Sequence, residues 1–247
     1  MTPILQVERV RKTFGGVVAN NDITLEVPAG KIVGLIGPNG SGKTTLFNSI
    51  VGYHLIDSGS VRFDGREISK LRVPRIARRG LLRTFQQTRI YGKMTCIENM
   101  LISTPQRDRT WLSIVRKPPA ADESKAEDLL EFVGLYAKRR LLAGELSFGQ
   151  QKLLEFGMAL MNEPRLLLLD EPTAGINPTL INGLMQRLRR VNKELAITLL
   201  VIEHNMSVIM NLAEYIYCLA HGELLAQGRP AEIQADQRVI DAYLGAH

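Results

Sequence analysis

The chain has 247 residues, 45% of them hydrophobic, and carries 31 basic against 25 acidic side chains for a formal net charge of +6. That hydrophobic share is ordinary for a globular protein with a sizeable core, as one large α/β domain or as a core with a smaller inserted unit. No apolar run approaches the ~20 residues that a bilayer-spanning helix needs, and the excess of basic charge fits nucleic acid, an anionic membrane surface or simply a solvated exterior.

Charged residues interrupt the start of the chain, Met1 to Arg9, at once, so it lacks the shape of a secretory signal. Cys96 and Cys218 have neither metal-ligand spacing nor a secreted context. Reduced thiols in a cytosolic chain are the expectation.

In chain order, Ile4 to Val7 suggests a first strand, and Ile23, Leu25 and Val27 alternate with polar residues as a half-exposed second strand does. Together they predict an antiparallel edge sheet. Lys31 to Ile36 is a short apolar run of the kind that forms a buried parallel strand. A helix is expected from Leu46 to Val51, ending at Gly52. Ser58 to Gly65 predicts two short strands around an Asp64-Gly65 turn.

From Ile68 to about Ala143 the pattern changes. Lys70, Arg72, Arg75, Arg78, Arg79 and Arg83 crowd together, a Pro-containing stretch with Trp111 follows, and helical periodicity returns at Ala126 to Val133. This predicts a mostly helical subdomain inserted into the α/β core, with the core at about 1–85 and 160–247 and the insert at about 86–159. Beyond Ser147, a helix to about Met161, a strand Arg165 to Leu169, a helix Pro178 to Lys193 and a strand Ile197 to Ile202 alternate as βαβ units of a parallel sheet do. Two short strands around His221-Gly222 and a helix opening near Pro230 close the chain.

Three stretches carry chemistry. Gly37-Pro38-Asn39-Gly40-Ser41-Gly42-Lys43-Thr44-Thr45 fits the phosphate-binding spacing G-x-x-x-x-G-K-[ST], between a strand and a helix as that motif requires. Its glycines let backbone N–H groups converge on phosphate oxygens, and the helix N-terminus adds partial positive charge. Lys43 is placed to reach the β- and γ-phosphates and Thr44 to bind Mg²⁺. Leu166 to Leu169 followed by Asp170-Glu171 sets two carboxylates at the C-terminal end of a strand buried on both faces, where open α/β sheets bind ligands. Asp170 is the expected Mg²⁺ ligand, and Glu171 the candidate for orienting and deprotonating an attacking water. Leu146-Ser147-Phe148-Gly149-Gln150 has the S-x-x-Q spacing of a capping box, and a capped helix N-terminus can also receive an anion.

With that pentapeptide the chain resembles the nucleotide-binding subunits of ATP-binding cassette (ABC) transporters, whose signature motif is usually Leu-Ser-Gly-Gly-Gln. The resemblance covers nearly the whole chain and implies the ABC ATPase fold: a P-loop core with a parallel sheet, an antiparallel β edge subdomain and an inserted helical subdomain. It implies ATP as substrate, with Ser147, Gly149 and Gln150 reaching the γ-phosphate held by the phosphate loop of an opposing subunit. By the same resemblance Phe14 is the aromatic that stacks on adenine, with a core phenylalanine as the rival reading. Gln86, in Thr84-Phe85-Gln86, matches the glutamine that senses Mg²⁺ and the γ-phosphate, and His204 matches the switch histidine. Thr173 to Asn177 occupies the D-loop, where many relatives carry Asp in place of Asn177.

The aromatic Phe148, the segment Ala174-Gly-Ile-Asn-Pro178 and the ending Arg238 to Gly245 look like the ATPases of branched-chain amino acid importers. Related importers of urea, amides and aromatic acids share these features. The family implies two membrane-spanning permeases, a second cassette ATPase (an identical chain or a paralogue) and, indirectly, a solute-binding protein. Peripheral attachment to the cytoplasmic face of the inner membrane follows, with the docking surface near Gln86, Tyr91 and Glu98 and no nucleic acid partner. Arg75, Arg78, Arg79 and Arg83 are expected to be solvated, with contact to anionic headgroups as the other choice. The alternatives are the ATPase of a lipid or lipopolysaccharide exporter, a soluble cassette ATPase of DNA repair or translation, and a phosphate-loop kinase.

Overall fold

The fold is taken from a computed structural model that describes residues 3–84, 90–105 and 119–244. The chain divides into two compact units, one of residues 1–83, 165–173 and 188–247 and the other of residues 84–164 and 174–187.

The first unit holds two sheets. Strands β1 (Pro3–Phe14), β2 (Val17–Pro28), β4 (Ser58–Phe63) and β5 (Arg66–Glu67) form an antiparallel sheet in the order β2-β1-β4-β5. β1 and β2 run far beyond the short apolar patterns that announce them. Their outer ends stay paired down to Phe14 opposite Val17, across a two-residue turn at Gly15-Gly16. Asp64 and Gly65 both take positive φ, which gives the tight turn joining β4 to β5.

The larger sheet runs β10-β9-β3-β8-β7-β6. Its members are β3 (Ile32–Ile36), β6 (Leu81–Arg83), β7 (Leu166–Asp170), β8 (Thr198–Ile202), β9 (Tyr215–Ala220) and β10 (Glu223–Gly228). All its pairings are parallel except that of β9 with β10. Every residue of β3, β7 and β8 is buried, as expected of strands covered on both faces. Val7, Leu25, Val61 and Phe63 of the antiparallel sheet share one core with Leu35, Phe47, Leu168 and Leu200.

Because β3, β6, β7 and β8 are parallel, their C-terminal ends lie along one edge of the sheet. That edge gathers the phosphate loop after Ile36, Arg83, Asp170-Glu171 and the segment following Ile202. The short strand β6 falls within a stretch whose composition predicts helix. Three residues ending in arginine carry too little periodicity to announce a strand.

Helix α1 (Lys43–Ile50) starts three residues before the expected Leu46, since Gly42 at φ 96° lets the backbone turn directly into the helix. Lys43, Thr44 and Thr45 therefore form its first turn. Helix α2 (Val73–Ala77) opens with Pro74 in its first turn.

The second unit packs α3 (Cys96–Ile102), α4 (Ala120–Phe132) and α5 (Phe148–Leu160) around Met100, Leu130, Val133 and Leu154. Gly157 permits the close approach, because a Cβ there would lie 3.1 Å from Met100 Sδ. Helix α6 (Pro178–Glu194) begins in this unit, and α7 (Met206–Leu212), α8 (Pro230–Ala235) and α9 (Gln237–Leu244) complete the first. No described helix is long and apolar enough to cross a membrane.

Candidate active site

The phosphate loop is gripped from outside by its own unit. Gly37 takes φ 149°, and a Cβ there would stand 2.1 Å from the Leu219 carbonyl oxygen of β9. Gly42 is equally confined, with the Ala19 carbonyl oxygen 2.3 Å from the position of a Cβ. The fully buried Asn20 donates through Nδ2 to the Gly42 carbonyl at 3.1 Å. The Gly37 N–H donates to the Tyr243 hydroxyl at 2.8 Å, tying α9 to the start of the loop. Burial pushes the Tyr243 phenol up to about 12.

Within the loop, Lys43 is 5% exposed and its Nζ donates to the carbonyls of Gly37 (2.8 Å) and Pro38 (2.9 Å) and to Ser41 Oγ (3.3 Å). Burial lowers the Lys43 pKa, and the charges of Glu171 and Asp170 partly offset that fall. Asn39, Gly40 and Thr44 are exposed, while Pro38 and Thr45 are half-buried. The N-terminal amides of α1 thus face a rim that phosphate oxygens can reach.

Asp170 is 4% exposed and Glu171 sits at φ 49°, a left-handed conformation that costs a non-glycine residue energy and re-aims its side chain. The Glu171 N–H donates to the Ile202 carbonyl at 2.9 Å, so β8 fixes the bend. His204 Nε2 meets Glu171 Oε1 at 2.8 Å. The neighbouring Glu203, 2% exposed, accepts from Thr173 N (2.8 Å) and Oγ1 (2.6 Å), holding the turn after Pro172. Sequence reasoning passed over Glu203, whose partner lies 30 residues away.

Arg83 departs from the expectation of a solvated basic cluster. Its side chain is 7% exposed, and Nη2 meets Asp170 Oδ2 at 2.5 Å. Its charge is thus directed into the unit and not at solvent or lipid headgroups. Phe14 is 44% exposed, its ring edge-on to His54 at 5.1 Å and 5.2 Å from Lys12 Nζ, so it is not a core residue.

A divalent metal suits the residues that line this edge. Among the described residues no group of three or more His, Cys, Asp or Glu side chains could hold an ion alone. One hydroxyl (Thr44) and one carboxylate (Asp170) match the sparse protein ligation of Mg²⁺, which takes its remaining oxygens from substrate phosphates and water. Gln86 and Trp111 lie outside the described residues.

The pentapeptide lies in the second unit. Ser147 caps α5 in the predicted box: its Oγ accepts from Gln150 N (3.4 Å) and Gln150 Oε1 accepts from Ser147 N (3.2 Å). Lys138 Nζ also donates to Gln150 Oε1 at 3.1 Å. Phe148 is 47% exposed, and a Cβ on Gly175 would lie 2.8 Å from its ring. Gly149 has ordinary van der Waals space toward Leu180. Asn177 Oδ1 accepts from Thr179 N at 3.1 Å at the start of α6. Tyr91 is 54% exposed and held by Asn99 through N and O, whereas Glu98 is taken up in a capping box with Thr95.

The family profile "ABC transporter" matches residues 20–174, and the profile "Branched-chain amino acid ATP-binding cassette transporter" matches residues 223–247. The high-affinity branched-chain amino acid transport ATP-binding protein BraF of Pseudomonas aeruginosa is 39% identical, over 98% of each chain. Its counterpart LivG of Escherichia coli is 37% identical over the same shares. Among solved structures, an ATP-binding cassette of an ABC transporter in its ADP conformation superposes with a TM-score of 0.89 at 33% identity, covering 99% of this chain and 100% of that one. A nucleotide-free cassette gives 0.87 at 32% identity, with 98% of each chain covered.

Proposed function

The chain belongs to the ABC transporter family, and from that premise we propose that it is the ATP-hydrolysing subunit of an importer for branched-chain amino acids or closely related solutes. The observation that carries hydrolysis is the Glu171–His204 pair, 2.8 Å apart at the same sheet edge as the phosphate loop. The match of residues 223–247 to the branched-chain profile supports the solute class. The exporter, soluble-cassette and kinase alternatives gain no comparable support.

In this reading Gly37 to Thr45 enclose the phosphates of ATP. Lys43 exchanges its bonds to the loop carbonyls for the β- and γ-phosphate oxygens. Thr44, Asp170 and Gln86 would hold Mg²⁺, which would supply neutralising charge at the phosphates. Glu171 accepts a proton from the water that attacks the γ-phosphorus in line as ADP leaves, and His204, whose Nε2 holds the Glu171 carboxylate without nucleotide, turns that N–H to the γ-phosphate when ATP is bound. Such a transfer relies on positioned charge more than on covalent chemistry. Phe14 supplies an exposed ring for adenine. Ser147, Gly149 and Gln150 complete the site of an opposing subunit, so two cassettes close head-to-tail around two ATP molecules. Two permeases, docked near the exposed Tyr91 at the cytoplasmic face of the membrane, follow that motion. A solute-binding protein delivers the cargo.

Glu171→Gln tests the assignment of the base. Hydrolysis is expected to fall ~100-fold or more, with ATP binding little changed and an ATP-held dimer accumulating on gel filtration. Undiminished turnover removes Glu171 from that role.

A further inference from the structure

We propose that Arg83 is a resident counter-ion of Asp170, a positioning residue with which any divalent cation at this carboxylate must share it. Contacts from three described residues converge on the guanidinium. Nη2 meets Asp170 Oδ2 at 2.5 Å, and Nη1 donates to Asn48 Oδ1 at 2.5 Å. The group also lies 5.7 Å from the centroid of the Phe47 ring. Phe47 and Asn48 belong to α1, the helix that begins at Lys43, and Asp170 ends β7. Arg83 ends β6, paired in register with Leu168 of β7. One side chain thus joins the helix of the phosphate loop to the strand that carries the carboxylate.

The exposures decide what this pair is for. At 7% and 3% neither charge is solvated enough to stand alone, and removing the guanidinium takes from the buried Asp170 carboxylate the cation that meets it. Arg83 therefore holds the Asp170 carboxylate in place before a metal arrives. A metal ion bound there would be a second positive charge at one carboxylate, and the guanidinium would weaken its binding by repulsion while preserving the position of the ligand.

The proposal rests on the assignment of Asp170 to Mg²⁺, and its test separates the two. Wild type, Arg83→Met and Arg83→Lys are melted with ADP in EDTA and with ADP and Mg²⁺, a pairing that involves no turnover. With EDTA, Arg83→Met is expected to melt roughly 10 °C below wild type. Mg²⁺ should close much of that gap, because the cation replaces the missing charge, and Arg83→Lys should stay near wild type in both. Mn²⁺ titrated in the presence of ADP and followed by its electron paramagnetic resonance should bind the Met variant on the order of tenfold more tightly. A gap unchanged by Mg²⁺, together with equal Mn²⁺ affinity, reduces Arg83 to a structural ion pair and overturns the proposal. If Mg²⁺ adds nothing to the melting temperature of wild type with ADP, the metal assignment of Asp170 fails instead. Should Arg83→Met not fold, the neutral Arg83→Gln carries the Mn²⁺ measurement, and an affinity equal to that of wild type overturns the proposal.

Discussion

The sheet edge at Asp170 and the helix start at Ser147 hold their polar groups in opposite ways. At the sheet edge almost every group is answered from within the unit: Lys43 by loop carbonyls, Asp170 by Arg83, Glu171 by His204, Thr173 by Glu203. Most of these groups are buried. At Ser147 the bonds are short-range capping contacts, and Ser147 and Phe148 stand in solvent. A pre-paired edge costs little reorganisation when charge develops on a phosphate. An exposed, locally capped helix start suits a surface that meets its ligand from another molecule. The contrast fits a site divided between two subunits.

Glycine substitutions break this contrast most sharply. Gly37→Ala sets a Cβ against a backbone oxygen that belongs to β9 and cannot move alone. It is expected to cost more than about 4 kcal/mol, the range reserved for lost structural necessities, and to abolish nucleotide binding along with cooperative unfolding. Gly175→Ala meets only the edge of the half-exposed Phe148 ring, at φ 71°. A cost of about 1–3 kcal/mol from urea titration is expected, the sum of left-handed strain and a yielding contact. Adding Phe148→Ala should recover the steric part and leave about 1–2 kcal/mol for the backbone. Equal costs for Gly37→Ala and Gly175→Ala would mean that the 173–177 segment is as firmly held as the phosphate loop.

Much of the sheet edge was legible in the sequence. A glycine loop between a strand and a helix, and two carboxylates after four leucines, are local patterns with a direct physical meaning. The Ser147–Gln150 box was legible for the same reason, since its partners are three residues apart. What the sequence hid is pairing over long separations. Arg83 sits among five other basic residues and reads as surface, and only the junction of β6 with β7 brings it to Asp170, 87 residues on. Tyr243 reads as one more aromatic of a terminal helix, although its hydroxyl closes on Gly37 across 206 residues. The Phe148–Gly175 fit likewise needs the packed unit, because neither residue announces the other.

Tyr243→Phe tests how far the grip on the phosphate loop extends. The substitution keeps the ring and deletes the one acceptor of the buried Gly37 N–H among the described residues. About 1–2 kcal/mol of stability is expected to go, within the range for an orphaned backbone donor. ATP affinity should weaken in parallel, since the loop loses its outer anchor. Unchanged urea unfolding would make α9 a bystander to the loop rather than part of its grip.

The smallest effect belongs to an ion pair outside both regions. Asp57 accepts from Thr13 Oγ1 at 2.7 Å and pairs with Lys12 at 3.0 Å, and Thr13 N adds a third bond at 2.6 Å. The Thr13 hydroxyl, then Lys12, then the Thr13 amide pull its carboxyl down from 3.8 to about 2. A folded pKa below the unfolded one stabilises the fold above the unfolded value, and that stabilisation is lost as pH falls through the folded value. Asp57→Asn should therefore unfold slightly more easily than wild type at neutral pH. The gap should close as pH drops from about 4 toward 2 and shrink in high salt at any pH, because the carboxylate is exposed and screened. The Arg83–Asp170 pair should resist the same salt, since neither of its members faces the solvent. Equal salt sensitivity of Asp57→Asn and Arg83→Met would show that burial does not distinguish the sheet edge from the surface.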